Sequence, residues 1–141
     1  MKPGALPSKR STTPGNSAAN DTADETGVVT HVYKLLSANA WEMAKADGRF
    51  AGSEVDIKDG YMHFSTADQL AETARRHFGG QRDLVCLAVD SDQMQALKWE
   101  PSRGGALFPH LYSTLETERV VGVWAIPLGP DGAPDITEVT S

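Results

Sequence analysis

The sequence predicts a small α+β domain. Two short helix signatures come early, the strands after them do not alternate with helices, and neither Gly-x-Gly-x-x-Gly nor Gly-x-x-x-x-Gly-Lys-Ser/Thr occurs. A doubly wound parallel sheet needs strand and helix to take turns, so that architecture is excluded, and with it a nucleotide held by either glycine loop.

Of the first 30 residues, 18 are Pro, Gly, Ser, Thr, Asn or Asp and no aromatic residue precedes Tyr33, so residues 1–30 cannot bury enough surface to order themselves. A disordered tail is expected there, and its scattered alanines and prolines offer no continuous apolar segment for an export signal. Val28 to Leu36 is rich in β-branched and aromatic residues and reads as a first strand. Asn39 with Glu42 has capping-box spacing, Trp41 and Ala44 give a helical apolar stripe, and Gly48 sits where a left-handed C-terminal residue is wanted.

Gly60 to Ser65 alternates like a strand, and Thr66 with Gln69 starts a helix carrying Leu70, Ala74 and Phe78 until Gly79-Gly80 stops it. The continuous run Leu84 to Val89 reads as a buried central strand, followed by a turn capped by Asp90 with Gln93. Further strands are expected over 97–100, 107–112 and 119–126, with Pro127, Gly129-Pro130 and Asp131-Gly132 closing the domain in turns. The domain is thus read as 31–130, with a flexible tail over 131–141.

The 141 residues carry a formal net charge of −6, which argues against binding a nucleic acid duplex by neutralising its phosphates. No apolar run is long enough to cross a bilayer, so no membrane partner is expected. Cys86 is the only cysteine, which excludes an intrachain disulfide and suggests a reducing, cytoplasmic setting. The partner this composition suits is a small-molecule ligand; oligomeric state is not readable from it.

Chemistry concentrates in two places. In Gly60-Tyr61-Met62-His63-Phe64-Ser65-Thr66, strand alternation puts Tyr61, His63 and Ser65 opposite Met62 and Phe64, and the strand runs into a helix N-terminus suited to an anion. The same residues also fit a purely structural role, with Ser65 and Thr66 capping the helix and His63 half-buried in a sheet, and spacing does not separate the two. In Trp99-Glu100-Pro101 through Phe108-Pro109-His110-Leu111-Tyr112, a carboxylate and an imidazole can meet across a hairpin, with Arg103 on the connection able to close over an anionic ligand. A solvated Glu100 paired with Arg103 or Lys98 is the plainer alternative. His63, His110 and Glu100 lack metal-ligand spacing such as His-Glu-x-x-His, so no metal is expected.

Together the stretches Val32 to Leu35, Trp41 to Phe50, Gly60 to Thr66, Leu84 to Asp90, and Trp99 to Pro101 through Phe108 to Tyr112 resemble the bacterial domain-of-unknown-function family DUF952, in order over about residues 31–130. The resemblance implies an ADP-ribosyltransferase-like fold, a split β-sheet with short helices packed on it. Active proteins of that fold bind NAD and cleave its nicotinamide–ribose bond. A first-strand His or Arg holds the ribose there, a second-strand aromatic or Ser/Thr shapes the nicotinamide pocket, and a later Glu stabilises the oxocarbenium ion.

The first-strand position here corresponds to Lys34, a departure that weakens ribose hydrogen bonding but keeps a donor for phosphate. The last role falls to no obvious acid: Tyr112 and Ser113 are followed by Glu116, and Glu100 takes it only if the loop folds back. The resulting expectation is a cleft with His63, Glu100 and His110 as its acid–base groups. Tyr33, Lys34, Ser65, Thr66, Arg103 and Tyr112 are expected to contact the ligand. That ligand is a nucleotide or ribosyl-phosphate such as NAD or ADP-ribose, with ADP-ribosyltransferase-like or phosphotransferase-like chemistry, or with binding alone as in a sensor domain.

Overall fold

The computed structural model describes residues 30–140, so the tail expected over 1–30 lies, apart from Thr30, outside the described residues. The chain runs β1 (His31–Ser37), α1 (Ala38–Asp47), β2 (Arg49–Phe50), α2 (Glu54–Asp59), β3 (Met62–His63), α3 (Ala67–Phe78) and β4 (Leu84–Asp90). It continues with β5 (Leu97–Pro101), β6 (Leu107–Leu111), β7 (Leu115–Glu116), β8 (Val120–Ile126) and α4 (Thr137–Thr140). All strand pairs are antiparallel, in sheets ordered β1-β4-β8, β3-β6-β5 and β2-β7. The α+β class therefore stands.

The continuous apolar run of β4 makes it the middle strand of the first sheet, buried on both faces. Val85, Leu87 and Val89 point to one hydrophobic cluster with Trp41, Phe50, Met62, Phe64 and Leu111. Leu84 and Cys86 point the other way, to a cluster with Leu35, Leu70, Ala74 and Ile126. The period of two in β4 thus fastens the second sheet and α1 to one face and α3 to the other. Burial pushes the Cys86 thiol up to about 12, so it is an inert core residue.

The two larger sheets join where the chain leaves β3. Phe64 still donates its backbone N–H to Pro109 O, beside the second sheet, at 3.0 Å. Ser65 already exchanges both backbone hydrogen bonds with Tyr33 of β1, each 2.8 Å. The strand expected over Gly60 to Ser65 is therefore only two residues long, because the chain changes sheets in its middle.

Local signals explain most of the rest. Thr66 and Gln69 form the expected capping box of α3. In α1 the expected Asn39–Glu42 box is replaced by Ser37, whose hydroxyl accepts from Ala40 N, so the helix begins earlier. Asp90 caps its turn through Asp92 N rather than with Gln93. The C-terminal stretch expected to be a flexible tail folds back instead. Leu128 bridges Pro134, Gly80 N donates to Gly132 O at 2.7 Å, and Val139 of α4 packs into the cluster with Leu35 and Leu70. Helix α2 has no counterpart among the sequence expectations.

Candidate functional site

The site is built on α2. Ser53 caps this helix by accepting from Asp56 N while Asp56 Oδ2 accepts from Ser53 N at 2.8 Å, and Gly60 ends it in a left-handed conformation. The box turns Asp56 inward. Lys34 lies between Val32 and Leu36 on the core face of β1, only 5% exposed, with its Nζ 2.8 Å from Asp56 Oδ2 and donating to His63 O at 3.0 Å. The ammonium also lies 5.7 Å from the Phe64 ring centroid and 5.9 Å from that of Phe50. A lone buried ammonium would be costly, so Asp56 is the counter-ion that this strand register requires.

Asp56 Oδ1 accepts from His63 N at 3.1 Å and meets His63 Nδ1 at 2.6 Å. Each oxygen of this carboxylate, 3% exposed, thus has two donors, which fills its capacity. Burial pulls its proton affinity upward. The His63 hydrogen bond, the Lys34 charge and the Ser53 amide outweigh that and hold the carboxyl well below its ordinary range. Burial lowers the Lys34 ammonium from its ordinary value, against the pull of Asp56.

His63 presents its other nitrogen, Nε2, to Asp59 Oδ2 at 2.9 Å near the surface. Its strand partner in register is His110, and the two rings meet edge to face at 5.7 Å. Tyr61 fills the angle between them, stacked on His110 at 4.1 Å and tilted against His63 at 4.8 Å and Tyr112 at 5.3 Å. Glu100 of β5 lies across β6 from this group. Its Oε1 takes a hydrogen bond from Tyr112 OH at 2.7 Å and meets His110 Nδ1 at 2.8 Å. These two bonds, Tyr112 first, lower the Glu100 carboxyl below its usual range, and the same contact pushes the Tyr112 phenol up to about 12. Among the described residues, Glu100 Oε2 and His110 Nε2 have no partner.

A cleft of about 200 Å³ opens beside this group. Met62 and Leu111, paired across β3 and β6, line it together with Ile57, Tyr61 and the segment Tyr112 to Thr114. Among the described residues no group of three or more His, Cys, Asp or Glu side chains is placed to hold a metal ion. None of the described helices is long and apolar enough to cross a membrane.

The structure brings His63, Glu100, His110 and Tyr112 together; of the other expected residues whose side chains are described, Lys34 reaches only the backbone carbonyl of His63, and Tyr33, Ser65 and Thr66 are held by other partners. Lys34 is enclosed, with its ammonium turned to Asp56 Oδ2 and His63 O rather than to the surface. Ser65 is buried and donates to Thr73 Oγ1 at 2.9 Å on the first-sheet side. Thr66 accepts from Gln69 N at its hydroxyl oxygen and donates its backbone N–H to Gln69 Oε1, as the helix cap. Tyr33 packs against the cluster around Leu70, and burial raises its phenol above the ordinary value. Arg103 begins the turn Arg103–Gly105, and its side chain lies outside the described residues. Sequence reasoning missed Asp56 and Asp59; the pattern Ser53-x-x-Asp56 followed by Gly60 was the signal for that helix.

The paired strands that carry His63 and His110 fall inside the match to a family model described as Protein of unknown function (DUF952), which spans residues 35–123. The chain belongs to that family. It is similar to protein CC0527 of Caulobacter crescentus, whose crystal structure shares 46% identity over 79% of this chain and 98% of that one, with a TM-score of 0.77. A double mutant of the same protein gives the same values. Its solution NMR structure matches at 46% identity over 77% of this chain and 95% of that one, with a TM-score of 0.71. No curated protein matches the chain.

Proposed function

We propose that the group around Tyr61 and Tyr112 binds a nucleotide or ribosyl-phosphate ligand of the NAD or ADP-ribose type, on an ADP-ribosyltransferase-like split sheet. The observation that carries this reading is the convergence of His63, His110 and Tyr112 around Tyr61, with Glu100 bonded to the last two, beside a cleft and with polar atoms that have no partner among the described residues. Two three-stranded sheets joined at the Tyr33–Ser65 bridge support the split-sheet part.

Charge favours the oxidised ring end of NAD over a phosphate at the aromatic group beside the cleft. Lys34 is neutralised inside, whereas the carboxylates of Asp59 and Glu100 are partly exposed among aromatic rings. A pyridinium gains from both aromatic faces and carboxylates. In this reading the nicotinamide ring packs on Tyr112, Glu100 Oε2 faces the positive charge that develops on the ribose, and Lys98, 5.2 Å from the Tyr112 ring centroid, meets the phosphates. His110 holds the Glu100 carboxylate in place through Nδ1.

A binding domain without turnover is the second reading, favoured by the two hydrogen bonds that already occupy Glu100 Oε1. Calorimetric titration of the full chain with NAD and with ADP-ribose, followed by an assay for released nicotinamide, separates the cases. Heat with release supports an enzyme, heat without release supports a binding domain, and the absence of both rejects the nucleotide ligand.

A further inference from the structure

We propose that Asp56 is the positioning residue of this site, fixing the ring of His63 so that Nδ1 carries hydrogen inward and Nε2 is the nitrogen offered to a ligand. The inference rests on the reading that His63 belongs to a ligand site. It deepens that reading by assigning a role to a residue outside the expected cleft. His63 Nδ1 lies 2.6 Å from Asp56 Oδ1, and the backbone N–H of His63 donates to the same oxygen at 3.1 Å, so ring and main chain are pinned to one atom. The carboxylate itself cannot swing away, because Oδ2 is held by Lys34 Nζ and Ser53 N, each at 2.8 Å.

A saturated acceptor of this kind requires that Nδ1 bear hydrogen, whatever Nε2 carries. An isolated imidazole has no such constraint, and a carboxylate can only accept. The buried ammonium of Lys34 thus acts on the site at one remove, by keeping Asp56 ionised and still. Among the described residues the outward Nε2 meets Asp59 Oδ2, at 2.9 Å, on a carboxylate at the end of α2 that is itself partly exposed. A ligand acceptor can take that place without disturbing the inner contact.

The test is nitrogen-15 NMR of the histidine rings in the full chain at neutral pH, for the parent, Asp56→Asn and Asp59→Asn. The parent should show His63 Nδ1 bearing a slowly exchanging hydrogen. Asp59→Asn should keep it, and Asp56→Asn should lose it or shift the ring to the other tautomer. A bare Nδ1 in the parent overturns the proposal even if Asp56→Asn does not fold, and so does a hydrogen lost in Asp59→Asn. If NAD binds the parent, Asp56→Asn should weaken it by about 10- to 100-fold, as loss of an orienting partner does. Absence of NAD binding with the Nδ1 signature intact refutes the ligand reading and supports the positioning role. NAD binding with a bare Nδ1 does the reverse.

Discussion

Two carboxylate–histidine pairs, with their histidines on the neighbouring strands β3 and β6, differ in what they leave unused. Asp56, with Lys34 and His63, is closed: four donors fill its two oxygens and the side chain is shut in the core. Glu100, with His110 and Tyr112, is open: one oxygen takes both hydrogen bonds and the other has no partner among the described residues. A filled carboxylate holds structure together, whereas a half-filled one beside a cleft retains capacity for a ligand. The same residue types are therefore closed at one end of the cluster and leave a carboxylate oxygen open at the other.

The comparison breaks first at Asp56. Asp56→Ala strands the Lys34 ammonium between Phe50 and Phe64 and should cost about 3–5 kcal/mol in urea unfolding. Lys34→Met should cost less, since Asp56 keeps the amides of Ser53 and His63 and the imidazole. A negligible loss in Asp56→Ala would mean that the pair is not buried.

Acid should show the same asymmetry. The folded-state carboxyl of Asp56 titrates below its unfolded value, so its contribution is complete above about pH 4 and is lost as pH falls through the lower folded value. Urea midpoints measured down to pH 2 should fall, and Asp56→Asn should remove that part of the slope. At the helix corner, Thr66→Ala should cost about 1 kcal/mol by loss of the cap, visible as a lower Tm. Glu100→Gln should change stability least, because its oxygens are partly solvated. Its effect appears in the Tyr112 phenol, which should fall from about 12 toward the ordinary value in an ultraviolet titration. An unchanged phenol would contradict the Glu100–Tyr112 contact.

Legibility followed the strength of local signals. The run Leu84 to Val89 reads as a strand buried on both faces, and Thr66 with Gln69 marks the start of α3. Helix α2 escaped because its pattern is inverted: Val55 and Ile57 are exposed while its buried residue is Asp56. Hydrophobic periodicity cannot find a helix whose inward side chain is charged. From the sequence Lys34 is expected to contact a ligand; its burial on the core face with Val32 and Leu36 goes with a partner, Asp56, that lies 22 positions further along and so escapes any local pattern.

Within the site, Glu100 and His110 followed from hairpin geometry, in which Glu100 pairs with Phe108 and Lys98 with His110. The stacking of Tyr61 on His110 needed the β3–β6 register, which no local motif encodes. Ser65 left the cluster because the chain changes sheets after Phe64, a tertiary event that strand alternation does not contain.

Chemical-shift mapping of the full chain during titration with NAD tests the central claim most directly. The account predicts shifts concentrated on Tyr61, His63, His110 and Tyr112, and reduced or abolished by Glu100→Gln. Shifts confined to other parts of the fold, or none at millimolar NAD, would contradict it.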